Sequence, residues 1–175
     1  MGTPKALIEV EGRPLALRVA ERVSLVAHPV FLATGTPGRY GDLGLPELED
    51  ARPGAGPLAA LAAGLEASPH SLQAVVAGDM PFASAEVLRL LATLHIAEAA
   101  IVPVTEVGLE PLHAVYSRRA LPAIRAALDE GMFALRLVLR RLRVREVGPE
   151  KWRAADPTGR FALNLNNPED LARLM

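Results

Sequence analysis

The chain has 175 residues, half of them hydrophobic, a formal net charge of −1 and no cysteine. That length points to a single domain over 1–175 with a sizeable core. The balanced charge argues against a nucleic-acid surface, the missing cysteines exclude disulfides and thiolate metal sites, and no apolar run reaches the roughly 18 residues that a membrane span needs.

The opening residues carry no signal-peptide pattern, so a cytoplasmic location is expected. In chain order, Pro14 near a first turn and Leu15, Val19 and Val23 at helical spacing predict a helix over 13–26. A continuous apolar run predicts a buried strand over 29–34, followed by turn-rich loops at 35–44 and 52–56. Pro57 starts a helix that runs to residue 67, and 72–77 reads as a second buried strand. Ser84 caps a helix over 85–95. Strands are expected at 99–104, 112–116 and 144–147, with helices at 120–129 and 134–142. Asn167 before Pro168 caps a last helix.

Apolar strands alternating with helices imply a three-layer, Rossmann-like α/β domain with a mostly parallel sheet. Ligands in such sheets bind beyond the carboxyl ends of the strands. That rule selects the loops 35–44, 50–56, 78–82 and 105–111.

The sharpest feature in those loops is Gly78-Asp79-Met80-Pro81-Phe82, directly after a buried strand. Gly78 lets the backbone turn and a ligand approach. Pro81 holds the next residues extended. The Asp79 carboxylate is a hard oxygen donor suited to Mg²⁺, which takes one or two protein carboxylates plus phosphate oxygens and water. The competing reading is a turn aspartate bonded to its own backbone. Residue usage adds a second signal. Lys5 and Lys151 are the only lysines, and Asn164, Asn166 and Asn167 the only asparagines. In such a composition the survivors are candidates for chemistry.

Gly78-Asp79-Met80-Pro81-Phe82 resembles the signature of the molybdenum cofactor guanylyltransferase, or MobA, family. Other segments resemble that family in order and spacing. They are Pro4-Lys5-Ala6-Leu7 before Gly12-Arg13-Pro14-Leu15, Asp50 before Pro53-Gly54-Ala55-Gly56-Pro57-Leu58, Glu110-Pro111-Leu112-His113-Ala114-Val115-Tyr116, and Asn164-Leu165-Asn166-Asn167-Pro168-Glu169-Asp170-Leu171. The resemblance implies GMP transfer from GTP to molybdopterin with release of pyrophosphate. It implies GTP and the molybdopterin cofactor as partners, with contact to other molybdenum cofactor proteins. Asp79 would hold Mg²⁺ against the triphosphate, and Lys5 would neutralise phosphate as a compact cation. Asp50 resembles a nucleotide-binding acid, though a loop-entry turn accounts for it nearly as well. Gly54 and Gly56 would bring backbone N–H groups near the ligand. Asn164 and Asn166 resemble a pair lining the site, whereas Asn167 reads as a helix cap. His113 reads as packing or a ligand contact rather than a catalyst. The run Arg136, Arg140, Arg141, Arg143 and Arg145 reads as a solvated face.

The family opens with a strand and a Gly-Gly loop, and Met1-Gly2 matches only the end of that loop. The first strand is therefore expected to be missing, and edges exposed on its neighbours. The resemblance implies poor GTP binding by this chain and better binding by one that carries the loop. A misassigned start is the favoured explanation over a trimmed or a crippled chain. Thr34 stands where the family often has an asparagine that contacts nucleotide. The rival functions are a related cytidylyl- or sugar-phosphate nucleotidyltransferase and a non-catalytic binding module.

Overall fold

The computed structural model describes residues 4–50 and 52–165. After a 3-10 turn at Lys5–Leu7, a small hairpin forms from β1 (Glu9–Val10) and β2 (Arg13–Pro14). Helix α1 (Leu15–Ser24) buries Leu15, Ala16, Val19, Ala20 and Val23, the stripe its periodicity predicts. The hairpin takes up the first two residues expected to be helical. Next come β3 (Leu32–Gly35), β4 (Glu47–Glu49), α2 (Pro57–Ala67) and β5 (Leu72–Val76). Helix α3 (Ala85–Thr93) begins at Ser84, whose Oγ accepts the Val87 N–H at 3.2 Å, as expected of its cap. Then follow β6 (Ala100–Thr105), β7 (Gly108–Leu109), β8 (His113–Ser117), α4 (Leu121–Asp129), α5 (Leu135–Leu139), β9 (Val144–Val147) and α6 (Pro149–Trp152). The expected helix over 134–142 shortens to five residues. The last helix and Asn166 fall outside the described residues.

The main sheet has the order β5-β8-β6, with β9 beside β6 and β7 at its end. Its alternation builds the layers. Ala100, Val102, Ala114 and Tyr116 pack against α2, α4 and α5 on one face. Ile101, Val115 and Val147 pack against α3, Trp152 and Phe161 on the other. The three-layer expectation therefore holds for this sheet.

A mostly parallel sheet is not confirmed, because the pairings are mixed. β8 runs antiparallel to both β5 and β6, while β6–β9 and β3–β4 are parallel. The reason is connection length. Parallel neighbours need a crossover of about a dozen residues or more, and only the short stretch 106–112, which includes β7, lies between β6 and β8.

β3 and β4 form a sheet of their own, and no ladder joins them to β5 among the described residues. β3 and β5 instead border one cavity of about 920 Å³, walled by α1 through Ala16, Val19 and Ala20 and by α2 through Ala60, Leu61 and Gly64. Every residue of β5 is consequently half-buried, whereas β8 is buried throughout. The strand expected to be buried at 29–34 is likewise only partly covered.

Candidate active site

Residues at the carboxyl ends of β3, β4 and β5 line this cavity. β5 ends at Val76, and Asp79 follows in the turn that leads towards α3. The Ala77 N–H donates to Leu112 O at 2.8 Å, which fixes the turn's start. The side chain of Asp79 is 27 % exposed and lies 4.0 Å from Lys5 Nζ. The structure thus brings together two predicted residues from distant segments. Ala6, beside Lys5, approaches Gly78, where an added Cβ would sit 3.9 Å from the Ala6 methyl.

Asp50 follows β4 and faces the cavity from the other sheet. It is buried, and its Oδ1 has no hydrogen-bond partner. Burial raises its pKa above the ordinary carboxylate value. Its other oxygen packs on Gly35, where a Cβ would stand 3.3 Å from Oδ2 and where φ is +78°. Only glycine accepts both constraints. Gly54 and Gly56 line the same cavity, and Gly56 caps α2 with φ +66° and ψ −151°. Arg52 holds this loop by donating to Leu128 O and pairing with Asp129 at the end of α4. Thr34 is buried, its hydroxyl 3.0 Å from Thr36 O and 3.2 Å from Glu47 Oε2.

Asn164 does not line the cavity and its side chain is exposed. The next residue, Leu165, donates its N–H to Asp79 O at 2.8 Å, so Asn164 stands beside the Asp79 turn. Two residues near the site carry structure that the sequence reading left unassigned. Glu110 is buried, accepts from Thr105 Oγ1 at 3.1 Å and has its pKa raised by burial. Arg160 stacks on the Phe82 ring at 3.9 Å beside the signature turn. A lone acid in the apolar run 108–112 is the available signal for Glu110. No local pattern links Arg160 to Phe82.

Among the described residues, no group of three or more His, Cys, Asp or Glu could hold a metal. One partly exposed carboxylate, with a lysine opposite, is a donor set that leaves most coordination positions to ligand and water. That is the chemistry of Mg²⁺ brought in with phosphates, rather than of a protein-enclosed metal. The Asp79 site therefore fits Mg²⁺.

An open carboxylate and a lysine, with a glycine-rich helix start on the same cavity, are compatible with a nucleotidyltransferase of the α/β class. The MobA-like NTP transferase domain matches residues 1–147, and the chain belongs to that family. The chain is 31% identical over 173 residues to a molybdenum cofactor guanylyltransferase of Desulfosudis oleivorans, covering 98% of this chain and 86% of that protein. It is 35% identical over 185 residues to a probable molybdenum cofactor guanylyltransferase of Methanosarcina mazei, covering 98% and 82%. The crystal structure of molybdopterin-guanine dinucleotide biosynthesis protein A from Archaeoglobus fulgidus superposes with a TM-score of 0.85 at 27% identity, covering 98% of this chain and 89% of that one.

Proposed function

We propose that this enzyme transfers GMP from GTP to a molybdopterin phosphate. The observation that carries the reading is the facing of Lys5 and Asp79, with the buried, unpartnered Asp50 carboxylate across the cavity. An oxygen of the pterin's phosphate attacks the α-phosphorus of GTP. The bond to the β-phosphate breaks, and pyrophosphate leaves with the electron pair. Such a transfer is accelerated by positioning and charge neutralisation more than by covalent participation of the protein. Asp79 would hold Mg²⁺, which supplies positive charge to the triphosphate when bound. Lys5 adds a second positive charge at the same edge. Asp50 offers an acceptor for donor groups of the nucleoside, in a place where water competes poorly. At the α2 N-terminus Pro57 has no N–H and the Ala59 N–H donates to Gly56 O, which leaves the Gly56 and Leu58 N–H groups as the donors an anion would meet. No helix of the described residues is long and apolar enough to cross a membrane.

A nucleotide panel tests the reading. With Mg²⁺ and molybdopterin present, GTP is expected to release pyrophosphate at least tenfold faster than CTP, ATP or UTP, which requires only about 1.4 kcal/mol of discrimination. Faster turnover of CTP would reassign the base, and no turnover of any nucleotide would favour a binding role.

A further inference from the structure

We propose that His113 is the positioning residue of the Asp79 turn, an inference that rests on the reading of Asp79 given above. Residues 77–84 leave β5 and return into α3, and Leu112, just before β8, and His113, its first residue, hold the two ends. Ala77 N–H donates to Leu112 O at 2.8 Å, and Ser84 N–H donates to His113 Nε2 at 3.0 Å. Between these anchors the turn closes on itself through Met80 N–H to Ala77 O and Ala83 N–H to Met80 O, both at 3.2 Å. The Ser84 Oγ then starts α3, so one histidine bond fixes both the end of the turn and the entry of the helix.

The ring's environment makes this bond unusual for a packing residue. His113 is fully buried, with the Phe161 ring 4.7 Å away and tilted by 52°, and Trp152 set edge-on behind Phe161. Because Nε2 accepts, the ring proton sits on Nδ1, which is buried with no partner. Burial lowers the ring's pKa to about 4, so the ring is neutral and stays an acceptor near neutral pH. An orphaned buried donor costs about 1–3 kcal/mol. A leucine would fill this apolar space without that cost but would leave the Ser84 N–H unsatisfied. The histidine is therefore matched to the Ser84 N–H, the backbone donor at the far end of the turn carrying Asp79.

The test compares His113→Leu, which keeps apolar bulk, with His113→Gln, which restores an acceptor on a chain of similar reach. His113→Leu is expected to lower kcat about 10- to 100-fold, the scale of a small misplacement at a reacting centre, with KM for GTP changed less than threefold. His113→Gln is expected to recover most of that loss. Amide hydrogen exchange at Ser84 and Asp79, measured without substrate, should accelerate in the leucine variant and return towards wild type in the glutamine variant. Unchanged exchange in His113→Leu, or equal losses in both variants, would overturn the assignment. If His113→Leu does not fold, the glutamine variant's exchange and kcat decide alone, and wild-type-like values sustain it. Asp79→Ala run alongside separates the two claims. Retained activity there removes the Asp79 reading, while the exchange data still judge whether His113 holds the turn.

Discussion

Replacing Asp79 by alanine is expected to lower Mg²⁺-dependent GMP transfer by about a thousandfold, with little change in melting temperature. The expectation follows from place and exposure. Asp79 is the acid of the β5 turn, and its side chain is 27 % exposed and 4.0 Å from Lys5. Loss of one well-placed charge-stabilising group costs about 10²- to 10³-fold. A partly exposed side chain contributes little to the fold, about 0.5 kcal/mol or less. Lys5→Ala should lose about 10²-fold, and Lys5→Arg should recover only part of it, because a planar guanidinium does not replace a compact ammonium. Pyrophosphate release over a magnesium titration measures both. A normal rate in Asp79→Ala would remove the carboxylate from the mechanism.

Asp50→Asn is expected to separate binding from stability. The buried carboxylate is destabilised by its surroundings, as its raised pKa records. In such a case the folded state binds protons more tightly than the unfolded chain. Stability from this group is therefore greatest at low pH and falls as pH rises from 3.8 through the raised value. The asparagine should remove that slope and leave the protein equally or more stable at pH 7. GTP affinity should nevertheless fall about 10- to 100-fold, because an ionised acceptor is lost from a buried pocket. Calorimetric titration with GTP and urea unfolding at several pH values test the two halves separately. Undiminished affinity would make Asp50 a structural acid only.

The helices were legible in the sequence because their buried stripes recur at helical spacing, as in Leu15, Val19 and Val23. Strand direction was not, since an apolar run reads the same either way. The short 106–112 connection carried that information, and the apolar pattern masked it. β4 was missed because Glu47, Leu48 and Glu49 show no periodicity over three residues. The pairing of Lys5 with Asp79 depends on segments far apart in the chain, so spacing alone could not reveal it. The match to a family pattern gave each residue a role at the phosphates, and the structure supplies their closeness. Asp50, Gly54 and Gly56 were selected as a loop at the strand ends, and the structure places all three on one cavity. Asn164 is drawn only to the edge of that region. The Ser84–His113 bond joins a loop amide to a strand that the sequence left undirected, so its partner could not be named.

The separation of β3 and β4 from the main sheet has a thermodynamic consequence. Asp50 belongs to one sheet and Asp79 to the other, and no backbone ladder links the two among the described residues. Helix α2, which packs on β3, β4 and β5, links the two sheets. A ligand that touches both carboxylates adds a link between the two sheets and favours the folded chain by mass action. At a hundred times its dissociation constant it would add about 2.7 kcal/mol, worth about 5–10 °C of melting temperature for a chain this size. GTP with Mg²⁺ should give that shift, and Asp50→Asn should reduce it. Substrate supply would then govern how long this protein survives unfolding as well as how fast it turns over.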